Sequence, residues 1–428
     1  MAKDRPPVEP TGKITPQPWM TAPETLAVIA ALTAHGADVR FVGGCVRDAV
    51  LKRPVKDIDI ATPDPPATVT ALLEAAGIKV IPTGLAHGTV TAMVGDARFE
   101  ITTLRLDLAT DGRHARVAFT DSWIADAARR DFTFNALSCT VDGDIYDPFE
   151  GLADLGDGIV RFVGIPRERI EEDYLRLLRF FRMYATYGRP PPEAEALAAC
   201  RQLAPGIARL SGERVRDELF RILLAPNAAN TAMLMHDAHV LEHVVPPPTH
   251  IGRLRMMSWL DSTALKLSSV RPDPLRRLAA LLMADAGGAT ALAGRLRLSR
   301  REAARLAALV APALELAPEA GISALHRAVY RAGAETARDW VLLAWAGELA
   351  VAPRRGGGRN GAWVDLLEAA TSWPAPAFPL KGADAAALGV APGRQLGELL
   401  KAVEAWWEAG DFTADREACL ARLRELVA

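Results

Sequence analysis

The chain has 428 residues, of which 50% are hydrophobic and 24% charged, a balance that excludes a mainly disordered protein. Its formal net charge is −2, from 50 Lys and Arg against 52 Asp and Glu, so the total by itself argues against a polyanionic partner. Four scattered cysteines (Cys45, Cys139, Cys200, Cys419) form no CxxC pair and argue against a disulfide framework or a zinc site. No apolar run is long enough to span a bilayer.

Residues 1–21 are rich in proline and polar groups and read as a flexible tail without the apolar core of a signal peptide, so a cytoplasmic location is expected. Residues 22–152 alternate in character. Strands are expected at Val39–Val42, Ile58–Ala61, Lys79–Pro82, Thr89–Val94 and Phe99–Thr103, with helices around Thr25–His35, Cys45–Leu51 and Ala67–Ala76 between them. After Gly164 the strand signals fade into segments rich in Ala, Leu and Arg, which favour helix. The expected class is α+β. A mixed head at 22–152 is followed by a helical neck at 153–225, a helical body at 226–350 and a helical tail at 351–428.

The charge is unevenly spread. Residues 251–310 hold eleven Lys and Arg against four acids, a local excess of seven. Such a segment fits a nucleic-acid footprint, and equally a solvated helical face.

Four patterns carry chemistry. In Phe41-Val42-Gly43-Gly44-Cys45-Val46-Arg47-Asp48 a strand runs into two glycines and a helix start, where backbone N–H groups can approach a phosphate and Arg47 can clamp one of its oxygens. Asp57 and Asp59 alternate along an apolar strand, so both carboxylates face one side and suit a hard cation such as Mg²⁺. Glu100, on a later strand, is a further candidate carboxylate. In Arg129-Arg130-Asp131-Phe132-Thr133-Phe134-Asn135 two guanidinium forks match a triphosphate, while Asp131 and Asn135, four apart, would share a helical face near a ribose. In Glu172-Asp173-Tyr174-Leu175-Arg176-Leu177-Leu178-Arg179-Phe180-Phe181-Arg182 four charged residues recur every third position along one helical face. Each pattern alone also has a structural reading: a turn, an acidic strand edge, a capped helix, an amphipathic helix.

In this order, GGxVRD, DxD, RRDFTxNA and EDxxRxxR resemble the class II nucleotidyltransferases, the family of CCA-adding tRNA nucleotidyltransferases and bacterial poly(A) polymerases. The likeness covers Phe41–Arg182. It continues more weakly through Leu210-Ser211-Gly212-Glu213-Arg214-Val215 and, near the C-terminus, through Leu380–Asp384 and Pro392–Gly397. The resemblance implies a polymerase-beta-like head and template-independent addition of CCA to tRNA from CTP and ATP. It implies that Asp57 and Asp59 hold Mg²⁺, that Gly43, Gly44, Arg47 and Arg130 contact the nucleotide, and that Asp131 and Asn135 lie near the ribose. It further implies that Asp173, Arg176, Arg179 and Arg182 form the nucleotide pocket.

Within the family, Thr83–Val90 looks like the CCA-adding type, and Asp111–Val117 resembles the flexible loop needed for adding the terminal A. Poly(A) synthesis and partial CC or A addition stay open as alternatives. Arg113-His114-Ala115 departs from the usual loop sequence, and Phe134 fills a position more often aliphatic. Met235-His236-Asp237 invites a metal-phosphohydrolase reading, but the helical body offers no His before His236.

Overall fold

The computed structural model describes residues 9–85, 88–110, 115–265, 270–352 and 357–427. The chain divides into two units, Met1–Val244 and Val245–Ala428.

The first unit is built on one mixed sheet. Its strands are β1 (Gly12–Lys13), β2 (Arg40–Val42), β3 (Ile58–Thr62), β4 (Lys79–Gly84), β5 (Thr89–Val94), β6 (Ala97–Thr103), β9 (Ser138–Cys139) and β10 (Asp144–Tyr146). A separate hairpin pairs β7 (Arg105–Thr110) with β8 (Ala115–Phe119). The sheet order is β1-β10-β9-β2-β3-β6-β5-β4. Only β3 and β6 run parallel, and their register sets Asp59 beside Glu100. Phe41, Ile60, Phe99 and Ile101 are buried on one side with α1 (Pro23–Leu32), α2 (Gly44–Val50) and α3 (Pro66–Ala75). Pro23 and Pro66 each stand at the first helical position, where a missing N–H costs nothing.

The expected flexible tail is corrected for its described part. Gly12 and Lys13 pair with Ile145 and Asp144, the Trp19 ring meets Phe41 edge-on at 4.8 Å, and Met20 is fully buried. Apolar burial outweighs the disorder suggested by local composition. Of the loop expected at Asp111–Val117, Ala115–Val117 belong to β8, while Asp111–His114 lie outside the described residues, as do Ala86 and His87.

Helices α4 (Trp123–Ala128), α5 (Gly151–Asp157), α6 (Pro166–Glu172), α7 (Leu175–Tyr187), α8 (Ala194–Leu203), α9 (Gly212–Leu224) and α10 (Ala228–Asp237) complete this unit. On α7, Leu177, Leu178, Phe180, Phe181 and Tyr184 are buried. Aromatic rings continue that core: Phe132 packs on Phe162 at 4.8 Å, Phe162 on Phe180 at 6.0 Å, and Phe134 on Tyr187 at 5.8 Å. Phe134, where an aliphatic residue is more usual, thus ties the turn after α4 to the end of α7.

The second unit is helical, from α11 (Ile251–Trp259) through α12 (Pro274–Leu281), α13 (Ala286–Arg295), α14 (Arg300–Val310), α15 (Gly321–Ala332) and α16 (Ala334–Val351). It ends with α17 (Gly357–Ser372), α18 (Gly382–Ala386), α19 (Arg394–Ala409) and α20 (Arg416–Val427). The basic segment is corrected here. Arg276 and Arg277 are 2% and 1% exposed and point inward. Arg276 donates to Asp339 at 2.8 Å, and Arg277 grips Asp261 at 3.1 and 2.5 Å. Arg305 bridges Asp273 and Asp339 at 2.9 and 2.7 Å. Arg253 caps the end of α12, donating to the carbonyls of Ala279, Ala280 and Leu282. Four of the eleven basic groups therefore hold helices together. Arg271, Arg300 and Arg301 are exposed.

Candidate active site

The first unit contains an open polar cavity of about 450 Å³. Its wall includes Gly43, Gly44 and Arg47 from the β2–α2 joint, Asp59 from β3, and Arg130, Asp131 and Asn135 from the turn after α4. Asp173, Arg176, Arg179 and Arg182 come from the start and face of α7. Thus eleven of the thirteen residues singled out in sequence line one cleft. Asp57 and Glu100 do not line it; both are exposed beside it.

The glycine joint is local geometry. Gly43 has φ +72°, a left-handed conformation that side chains rarely adopt, and a Cβ there would lie 3.0 Å from Arg130 Nη1. The turn therefore lets Arg130 lie across the backbone at the mouth of α2. Arg47 is less free than expected. It is 9% exposed, holds Asp48 at 3.1 and 3.0 Å, donates to Asn135 Oδ1 at 2.6 Å, and stacks over Tyr187 at 4.4 Å. Its guanidinium is a fixed part of the wall rather than a loose clamp.

Asp131 and Asn135 do not share an α-helical face: Thr133–Asn135 is a 3₁₀ turn. They still meet, because Asn135 Nδ2 donates to Asp131 Oδ1 at 2.9 Å. Arg179 donates to Asp131 Oδ2 at 2.7 Å. Burial alone would raise the Asp131 carboxyl, but Arg179, Asn135 and the Phe132 amide outweigh it and hold it below the ordinary carboxylate range. A chain of polar contacts thus runs Asp48–Arg47–Asn135–Asp131–Arg179, from α2 to α7.

The fourth motif is also corrected. Asp173 is not on a continuous helix with the arginines. It is extended, with φ −154° and ψ +108°, between α6 and α7, and its Oδ1 accepts the Leu175 amide at 3.1 Å. An aspartate can satisfy an orphan amide at a helix start more readily than it can extend a helix. Arg176, Arg179 and Arg182 do share the polar face of α7, and each is anchored differently. Arg176 pairs with Glu172 and donates to the Arg169 carbonyl, Arg179 meets Asp131, and Arg182 donates to Glu218 of α9 at 2.6 Å.

Asp59, in register with Glu100, has its carboxyl pushed up to about 6 by burial, then by the Glu100 charge, against the pull of Arg130 and with Asp57 adding to the rise. Crowded carboxylates of this kind are relieved by a hard divalent cation completed by waters and substrate phosphates. Among the described residues no three His, Cys, Asp or Glu side chains are grouped to hold a metal by themselves. Asp57 departs from the expected strand, preceding the first residue of β3. His236 and Asp237 are both exposed, 3.4 Å apart.

Arg129, the partner of Arg130 in the expected triphosphate pair, lines the cleft, and so does Arg214, which the sequence does not mark as a site residue. Arg129 chelates Asp126 at 2.9 and 2.6 Å, and Arg130 takes its other oxygen at 3.1 Å. Arg214 donates to Asp173 Oδ2 at 2.6 Å. Its signal was the resemblance of Leu210–Val215.

Residues 39–161 match the family described as the poly A polymerase head domain, and residues 192–250 match a probable RNA- and SrmB-binding site of polymerase A. The mitochondrial CCA tRNA nucleotidyltransferase 1 of Mus musculus is 32% identical over 91% of this chain and 87% of its own length. The Danio rerio counterpart is 34% identical over the same shares. The CCA-adding enzyme of Bacillus stearothermophilus, solved in complex with CTP, superposes with a TM-score of 0.74 at 26% identity, covering 94% of this chain and 97% of that one.

Proposed function

Because the chain belongs to the CCA tRNA nucleotidyltransferase family, we propose that it adds C, C and A to the 3′ end of tRNA, using CTP and ATP and no template. The observation that carries this reading is the cleft, in which carboxylate and guanidinium groups meet at a glycine turn. The tRNA 3′-hydroxyl attacks the nucleotide α-phosphate and pyrophosphate leaves.

Asp57 and Asp59 would hold Mg²⁺, with Glu100 beside them. Bound there, the ion lowers the pKa of the attacking hydroxyl and offsets charge on the α-phosphate and the leaving pyrophosphate. Arg130, laid across Gly43, holds the triphosphate in line for attack. The Gly44 amide adds a donor without charge, whereas the Gly43 amide is spent on the Leu137 carbonyl at 3.1 Å and Gly43 serves by its turn. Asn135 and Asp131, already fixed to each other, present polar atoms to the ribose. Arg179 and Arg182 bound the nucleotide pocket.

Base choice rests on Asp173 and Arg176. Cytosine and adenine each present an exocyclic amino group beside a ring-nitrogen acceptor. Asp173 accepts from the first and Arg176 donates to the second. Both residues keep bonding capacity beyond Arg214 and Glu172, since a carboxylate has about four acceptor sites and a guanidinium five donors. Uracil and guanine reverse the pattern, setting a carbonyl against the Asp173 carboxylate and a ring N–H against the Arg176 guanidinium, and each mismatched edge costs ~1–3 kcal/mol.

The acceptor is a tRNA, held through phosphates and A-form shape. No helix among the described residues is long and apolar enough to cross a membrane. Four buried free thiols suit a reducing, cytoplasmic compartment.

The test is incubation with tRNA lacking CCA, given CTP alone, ATP alone and both, followed by sequencing of the 3′ ends. CC with CTP alone and a single CCA with both is the expected result. A run of A would assign poly(A) synthesis, and arrest at CC or addition of A alone would assign a partial activity.

A further inference from the structure

Asp173 is the one base-reading group without a regular helix beneath it, so something else must fix its position. Its carboxylate is held by Arg214. Its backbone turns through Tyr174, the first helical residue of the break, with φ −58° and ψ −18°. Tyr174 is not part of the cleft wall, and its ring lies on the 3₁₀ turn Ala204–Arg209. There it occupies the space a side chain on Gly206 would fill: a Cβ on Gly206 would lie 1.8 Å from Tyr174 Cε1 and 2.0 Å from Cδ1. Gly206 is not among the glycines with positive φ, so its backbone would accept any residue. What a Cβ there meets first is the ring. Arg209 closes the far side, with its guanidinium 5.0 Å from the ring centre and Nη1 donating to the hydroxyl at 3.4 Å.

We propose that Gly206 and Tyr174 are positioning residues for nucleotide selection: the ring seated on the bare glycine sets where the Asp173 carboxylate stands. The inference rests on the reading that Asp173 and Arg176 select the base. Tyr174 is bonded in sequence to Asp173, and the Tyr174 carbonyl accepts the Leu177 amide while the Asp173 carbonyl accepts that of Arg176. A displaced ring therefore rotates the short connection that carries Asp173, not a distant loop. The contact is shape-determined, because a close-packed ring cannot share its volume with a methyl group.

The experiment measures kcat/KM for CTP against UTP, and ATP against GTP, on tRNA substrates at the matching addition step, in the full-length protein. Gly206→Ala and Tyr174→Ala are each expected to lower the selectivity ratio by about tenfold, the size of effect a displaced hydrogen-bonding group produces. Tyr174→Phe, which keeps the ring, is expected to retain the ratio within about twofold. In the double variant Gly206→Ala/Tyr174→Ala the glycine change is expected to add nothing, since its effect passes through the ring. Asp173→Asn is measured alongside. If it leaves selectivity intact, the base-reading assignment fails. If it abolishes selectivity while folded Gly206→Ala or Tyr174→Ala keeps it, the positioning role fails. Should Gly206→Ala not fold, the contrast between Tyr174→Ala and Tyr174→Phe decides. Equal loss in both assigns the effect to the hydroxyl and overturns the proposal.

Discussion

In the cleft of the first unit, seven arginines and three aspartates line the wall, with Asp48, Asp126, Glu172 and Glu218 set behind them as anchors. In the second unit, Arg276, Arg277 and Arg305 face Asp261, Asp273 and Asp339. Both clusters pair their guanidinium groups with carboxylates, so pairing does not separate them. What separates Arg276 and Arg277 from the arginines of the cleft is the edge left over. Arg277 spends Nε and Nη2 on Asp261 and Ser262 and is 1% exposed, whereas the side chain of Arg179, held by Asp131, is 34% exposed at a cavity. A half-anchored arginine is pre-organised for phosphate. A fully enclosed one is a structural rivet, whose buried partners would be left under-compensated without it.

Removing a rivet should produce the largest stability effect. Arg277→Ala leaves the buried Asp261 with only Arg276, at 3.6 Å, and the Ser262 hydroxyl, at 3.2 Å, and is expected to cost about 3 kcal/mol of folding free energy, read as a lower urea midpoint, with activity per folded molecule unchanged. A loss below about 1 kcal/mol would erase the distinction between the two regions.

The cleft should respond in the opposite way. Arg130→Ala is expected to lower kcat/KM for both nucleotides by about 10²–10³-fold. Its thermal midpoint should barely move, because Asp126 keeps two bonds from Arg129. If the midpoint dropped and the kinetics held, Arg130 would belong with the rivets.

A pH measurement sharpens the body. Burial alone would raise the Asp273 carboxyl, but the Arg276 amide and Arg305 outweigh it and hold it below its ordinary value. The stability it contributes is then present above the unfolded carboxylate value of about 4 and is lost as pH falls through the lower folded value. Asp273→Asn keeps the helix cap and removes the charge. It should cost about 1–2 kcal/mol at pH 7 and flatten the decline in urea midpoint below about pH 4. An unchanged acid profile would remove Asp273 from the network.

The smallest effect concerns the exposed remainder of the basic segment. The double variant Arg300→Glu/Arg301→Glu should raise the KM for tRNA by about two- to tenfold at low salt and reduce its salt dependence, without touching the KM for CTP. An unaltered salt slope would remove these arginines from the RNA-facing surface.

Much of the cleft was legible in the sequence because its parts are local. A Gly-Gly step between strand and helix, two aspartates two residues apart, and arginines three apart on α7 each specify a geometry over a few residues. Asp173 stands outside that helix and its spacing does not show it, because spacing records period and not where the backbone breaks. Arg214 was left out of the site because its task is defined by Asp173, 41 residues earlier. The charge of residues 251–310 misled in the same way, since a count of arginines says nothing about which ones face Asp261 or Asp339.

The sequence by itself determined the class of fold and most of the residues that line the cleft, because strand alternation, helical period and glycine freedom are properties of short stretches of chain. Only the tertiary structure decided which arginines are free to meet a phosphate and which are sealed against aspartates. That depends on how much of each guanidinium is left to solvent once distant segments have packed, and burial is a property of the folded whole.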